Sequence, residues 1–247
     1  MKALLKVFTR TVGDQYETYW TTGRKQGVIA VDLAPSITDN RPIVAELSAL
    51  HYLLSYVGIM GRDRTGESLA IEVSFGAIRK LISPEGAAKS SRLIPYARFL
   101  NIRFAEAEIA VAKDGNWIIP ARAAARRETL SISEPLPEML QVTGYGNVSV
   151  SVHIIERMLQ KANYASASAV WKHLRRMLDS HALVKKVLPA QVAAHKAEKY
   201  GENDVGDHIR HLREPWTFVI APIREPNSHC QNVLTTAYVR ASEFLQP

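Results

Sequence analysis

A single cysteine, Cys230, stands in a chain of 247 residues. An intrachain disulfide is therefore excluded, and the composition suits a reducing cytoplasm, the expected location. No apolar run reaches the roughly 20 residues that a membrane-spanning helix needs. The opening MKALLKVFTRTVG lacks the apolar core of a signal peptide, so no membrane partner is expected. Internal repeats and low-complexity tracts are absent. Acidic residues are also in short supply, 24 against 31 lysines and arginines, which leaves a formal charge of +7. That balance favours an anionic partner, nucleic acid first and RNA ahead of DNA. An apolar fraction of 47% is that of a folded globular protein. The length allows one large or two small domains.

The first half reads as short strands broken by turns. LLKVFTRTV, DQYETYWTT and GVIAVDL, parted by Val12-Gly13-Asp14 and by Gly23 to Gln26, predict an antiparallel meander. Thr38-Asp39-Asn40-Arg41 punctuates, and Pro42 suits the first turn of the helix IVAELSALHYLLSYVGIM, apolar almost all round and expected to be buried. LAIEVSF predicts a fourth strand and AIRKLI a short helix. Residues 84–92 are expected as a loop, and RLIPYARFL as a helix broken at Pro95. NIRFAEAEIAVAK predicts a fifth strand that ends at Asp114-Gly115-Asn116.

Composition changes at residue 121. ARAAARRE is a basic helical piece whose Arg122, Arg126 and Arg127 face either solvent or phosphates. SISEPLPEMLQVTGYGN, with two prolines and two glycines, reads as linker. The expected organisation is a scaffold domain over 1–120, a linker over 121–148 and a basic domain over 149–247. The expected fold class is α+β: a mixed sheet with helices first, then helices followed by a small antiparallel sheet.

In the second half, Ser149 to Leu159 reads S-V-S-V-H-I-I-E-R-M-L. Ser151 can cap the helix, with Ile154, Ile155, Met158, Leu159 and Ala162 as its buried stripe. His153 and Arg157, four apart, share a face beside that stripe. SASAVWKHLRRMLDSHAL is a second helix, capped by Ser166 or Ser168, with Val170, Leu174, Met177 and Leu178 inside and Lys172, Arg175 and Arg176 outside. QVAAHKAEKY is a third helical candidate and GENDVGDHI a loop. WTFVIAPI and QNVLTTAYVR, around the turn Glu225-Pro226-Asn227-Ser228, predict a hairpin.

Seven of the eight histidines follow residue 150. His208, His211, His229 and Cys230 fit no standard zinc spacing, so no metal or other cofactor is expected there. Metal-free RNA cleavage is the other account. The 2′-hydroxyl attacks the adjacent phosphate, and the protein supplies a base, an acid and cations. His211 and Arg213, just before the hairpin, are candidates for the second acid or base and a phosphate clamp. Trp216 is either a base-stacking platform or a core anchor. Lys172, Arg175, Arg176, Arg213, Trp216 and Thr235 are the candidate nucleic-acid contacts.

Two resemblances sharpen these readings. The element order and the segment T-D-N-R-P-I-V-A-E-L-S-A-L resemble the ribonuclease H-like fold, in which a glutamate on the first helix is a metal ligand. Glu46 matches that position. The first-strand aspartate of that fold should fall near Thr9 or Thr11, and the fourth-strand one falls at Ser74. Glu46 alone cannot hold the pair of ions that two-metal hydrolysis needs, and rescue by Asp14 or Asp32 would require another register. A scaffold without its metal site is expected. The second half, with its S-x-H-x-x-x-R helix opening, second helix and closing T-x-Y-like strand, resembles the barnase–EndoU–colicin–RelE ribonucleases. That resemblance implies catalytic roles for His153 and Arg157, and for hydroxyls among Thr235, Thr236 and Tyr238, with His211 beside them. It also implies a neutralising protein partner. The expectation is a metal-independent endoribonuclease. The alternative is a non-catalytic nucleic-acid-binding or assembly protein on degenerate nuclease folds.

Overall fold

Alternation sets the first strand of the first sheet. In β1 (Ala3–Val12), Leu5, Val7 and Thr9 are buried while Lys6, Phe8 and Arg10 point the other way. β2 (Gln15–Thr21) and β3 (Gln26–Leu33) complete the meander. The structure is a computed structural model that describes residues 2–82, 92–112, 114–188, 190–200, 206–223 and 229–239. It is mixed α/β with two sheets, and the chain divides into two units, Met1–Leu136 and Pro137–Pro247. No helix among the described residues is long and apolar enough to cross a membrane.

After the meander comes α1 (Arg41–His51), which runs on as one π turn, Tyr52–Tyr56. Pro42 lies in its first turn, where the missing N–H costs nothing. Asn40 enters with φ 51°, a left-handed position that asparagine tolerates. Arg41 ties the preceding loop down by donating to the carbonyls of Leu33, Ala34 and Ile37. β4 (Leu69–Val73), α2 (Gly76–Leu81), α3 (Ile94–Asn101), β5 (Glu108–Val111), α4 (Pro120–Ala124) and β6 (Arg127–Ile132) follow. The sheet order is β5-β4-β1-β2-β3-β6. β4 and β5 run parallel to β1, and β6 runs parallel to β3. α1 seals one face, burying Val44, Leu47 and Leu50 against Leu5, Val7, Ile29 and Val31.

The second unit holds β7 (Met139–Val142), β8 (Gly146–Val150), α5 (Val152–Lys161), α6 (Ala167–Leu178), β9 (Leu183–Lys186), α7 (Ala190–Tyr200), β10 (Asp207–His211), β11 (Trp216–Pro222) and β12 (Asn232–Val239). Its sheet order is β7-β8-β12-β11-β10-β9, antiparallel except for β8 beside β12. Ile154, Ile155 and Met158 of α5 and Val170, Leu174 and Met177 of α6 are buried, as are Ile209, Phe218, Leu234 and Ala237 of the sheet.

Several expectations are corrected. Residues 121–148 are not a linker: they carry β6, which pairs with β3, and the β7–β8 hairpin, whose β8 pairs with β12, despite the prolines and glycines around them. The second sheet is neither small nor wholly antiparallel, because β7 and β8 precede the helices and join it. The fifth strand shrinks to Glu108–Val111, since residues 102–106 turn. Leu159 is 37% exposed and Ala162 half-buried, so the stripe of α5 ends at Met158. Asp207–Ile209 belong to β10, not to a loop. Most of the 84–92 loop, the start of GENDVGDHI and the Glu225–Ser228 turn lie outside the described residues.

Candidate nucleic-acid interface and a buried carboxylate

β1, α1 and the end of β4 bring Thr9, Glu46 and Ser74 together. Glu46 is wholly buried. Its carboxylate accepts from the Ser74 amide at 2.6 Å, from the Ser74 hydroxyl and from the Thr9 hydroxyl. The Thr9 amide in turn donates to Ser74 Oγ at 2.8 Å, and the Thr9 and Thr18 hydroxyls are bonded at 2.9 Å. Burial pushes the Glu46 carboxyl above its ordinary range, and the hydrogen bonds from Ser74 and Thr9 oppose that shift. The lone pairs a metal would need are thus taken by hydroxyls and amides. Asp32 faces the other side of the sheet, where Gln15 donates to it at 2.6 Å, and Asp14 is exposed in a turn. Among the described residues no group of carboxylates, histidines or cysteine is placed to hold a metal ion.

The far face of the same sheet carries a basic concavity of about 480 Å³. Lys6, Thr21 and Gln26 are cross-strand neighbours, one residue out of phase with Leu5, Val7 and Trp20, so they face away from α1. Gln26 fixes one wall: its amide donates to the Trp117 carbonyl at 3.1 Å and accepts from the Ile119 amide at 3.3 Å. The β2–β3 turn forms another. Thr21 Oγ1 donates to the Lys25 carbonyl and accepts from the Gly23 amide, and the Lys25 amide donates to Thr22 Oγ1. Arg24, Lys25, Arg122 and Arg126 are exposed around the rim, and among the described residues no carboxylate lines it. Lys6 is paired with Glu72 at 2.9 Å. Trp117 is half-buried in the lining and Ile119 is 45% exposed. Arg122 and Arg126, which the sequence leaves facing either solvent or phosphates, are exposed at this rim. Arg24, Lys25 and Trp117 drew no such reading, because they reach the concavity from segments far apart in the chain. Arg127 is elsewhere, bonded to Glu17 at 2.6 Å.

In the second unit the expected catalytic set does not share a surface. His153 and Arg157 are exposed on α5. Ser151 begins that helix but does not cap it: its hydroxyl donates to the carbonyls of Leu234 and Thr235. Ser166 does cap α6, accepting from the Ala169 amide. Cross-strand pairing puts Ile209, Phe218 and Ala237 on one face of the sheet and His208, Val219 and Thr236 on the other. His211, two residues beyond Ile209, shares the first face. Thr236 and Tyr238 share the second, where Tyr238 is bonded to His208 Nδ1 at 2.8 Å. Thr235 sits at a bulge and donates to the Val219 carbonyl. Trp216 is 2% exposed, a core residue and not a stacking platform.

His211 lies instead in a cluster that the sequence did not single out. Trp216 is bonded to the Tyr164 hydroxyl, which is bonded to His173 Nδ1 at 2.5 Å. His173 Nε2 lies 3.3 Å from Glu214, which Arg176 approaches at 3.5 Å. Burial pushes the His211 imidazole below its ordinary range, so it is neutral at pH 7, and its Nδ1 accepts from the Arg213 amide. Arg213 itself is exposed, as are Lys172 and Arg176, while Arg175 is half-buried. Both nitrogens of His173 are turned inward, Nδ1 to Tyr164 and Nε2 buried beside Glu214, so neither is open to a substrate. Comparison with known protein families, curated proteins and solved structures finds no match to this chain.

Proposed function

We propose that this chain binds nucleic acid without cleaving it, on a ribonuclease H-like first unit whose metal site has become a structural node. One observation carries the reading. Thr9, Glu46 and Ser74 occupy the three positions where that fold gathers its metal ligands, and two of the three are hydroxyls that saturate the buried carboxylate. The β5-β4-β1-β2-β3 order, with an antiparallel meander flanked by parallel strands, supports the scaffold assignment. The formal charge of +7 and the basic concavity support the anionic partner.

Metal-free cleavage by the second unit is the rival reading. It requires an imidazole, a cation and a hydroxyl within reach of one phosphate. Cross-strand pairing puts the imidazole of His211 and the hydroxyl of Tyr238 on opposite faces of the second sheet, which favours binding over cleavage. RNA remains the preferred ligand, and a neutralising protein is not needed where nothing is cut. The test is incubation of the full chain with end-labelled RNA and single-stranded DNA, with Mg²⁺ and with EDTA. Salt-dependent retention of intact strands supports the proposal. Cleavage lost in EDTA and in Glu46→Gln restores a metal nuclease. Cleavage that survives EDTA and is lost in His153→Ala restores the metal-free one.

A further inference from the structure

We infer that the concavity formed by the β2–β3 turn and residues 117–126 is a single-strand site, in which Arg24, Lys25, Arg122 and Arg126 take successive phosphates and Trp117 with Ile119 takes a base. The inference rests on the nucleic-acid reading and adds the place and the class of ligand.

Four observations carry it. The charge is of one sign: four exposed cations surround the rim and among the described residues no carboxylate lines it. Some exposed cations elsewhere on this unit meet carboxylates, as Lys2 does with Glu108 and Arg127 with Glu17. The walls are built before any ligand arrives, since both ends of the Gln26 amide are spent on Trp117 and Ile119 and three hydrogen bonds from Thr21 and Thr22 brace the turn. Preorganised loops lose less entropy on binding than free ones. Trp117 and the 45%-exposed Ile119 give an apolar surface inside a cationic ring, the combination with which single strands are held by backbone charge and base stacking.

Shape selects among anionic ligands. At about 480 Å³ the space is that of a small-ligand pocket, sized for a nucleotide or two of a flexible strand and not for a stiff duplex. A bilayer surface is flat and does not reach the floor of a concavity. An acidic peptide satisfies the cations but leaves Trp117 and Ile119 without a flat partner.

The experiment is fluorescence anisotropy on the full chain with a labelled oligouridylate of about 12 nucleotides, a hairpin duplex with the same number of phosphates, and polyglutamate as competitor. The expected result is preference for the single strand. Its dependence on salt should carry a slope of about −2.8 from four phosphate contacts, and each Arg or Lys→Ala change at the four rim positions should remove about 0.7 of it. These side chains are exposed, so the variants fold. Trp117→Leu should weaken binding by about 5- to 150-fold, the range of one stacked base. The preference for the single strand over the duplex reads the same assignment on the unaltered chain should Trp117→Leu unfold. If the fourfold rim variant binds like the wild type, the site is refuted while the nucleic-acid reading survives. If the duplex or polyglutamate binds as well as the single strand, the ligand class is refuted. If nothing binds even at low salt, both readings fall.

Discussion

Glu46→Gln separates a structural carboxylate from a catalytic one through its effect on stability as pH changes. The wild-type side chain is wholly buried and receives the Ser74 amide, the Ser74 hydroxyl and the Thr9 hydroxyl. Burial raises its pKa in the folded state above the unfolded value. Between those two values the folded chain holds a proton that the unfolded chain has released. The contribution is therefore complete below the unfolded pKa and is lost as pH rises through the folded one, at up to about 1.4 kcal/mol per pH unit. Glutamine keeps the acceptor for the Ser74 amide but presents an N–H₂ to Ser74 Oγ, at a cost of about 1 kcal/mol for one disrupted hydrogen bond. At acid pH the variant should accordingly be the less stable by about that amount. With rising pH the gap should close and then reverse. Native-state hydrogen exchange of the α1 and β1 amides across a pH series reads the first unit separately from the second. A difference between variant and wild type that stays constant with pH, or widens in the wild type's favour as pH rises, would refute the buried-node account.

Other perturbations test the frame around it. Gly27→Ala puts a Cβ 2.6 Å from the Trp20 ring and 2.8 Å from the Arg126 carbonyl; it should destabilise the first unit by about 1–3 kcal/mol or more, read as a lower urea midpoint. Tyr238→Phe removes the hydroxyl bonded to His208 and should cost about 0.5–1.5 kcal/mol while leaving nucleic-acid affinity unchanged in a titration. His153→Ala and Arg157→Ala replace exposed side chains and should each stay within about 0.5 kcal/mol of wild type in denaturant melts.

What the sequence makes legible here is what depends on near neighbours. Alternation in Ala3–Val12 identifies a strand because one face of it is buried, and Gln26–Leu33 stands out by its continuous apolar run, buried from Gly27 to Val31. The offset of Glu46 from Pro42 identifies a helix position. Four-residue strands such as Met139–Val142 and Leu183–Lys186 carry too little periodicity to stand out between prolines and glycines. Their existence is decided by the strands they pair with. The bulge at Thr235 is equally silent in sequence, yet it sets which terminal-strand residues share a face of the sheet. Nothing in the sequence sets His173 apart from its exposed neighbour Lys172; its contacts with Tyr164 and Glu214 exist only in the folded chain. The basic concavity needs the β2–β3 turn and residues 117–126 together, a juxtaposition fixed by tertiary structure and by the Gln26 amide.

The measurement that bears most directly on the central claim follows one labelled RNA strand with the full chain in parallel with Mg²⁺ and with EDTA, scoring retention and strand integrity in the same samples. The account predicts intact RNA in both, retained equally well and released as salt is raised. Shortened RNA in the Mg²⁺ sample alone, abolished by Glu46→Gln, would contradict it.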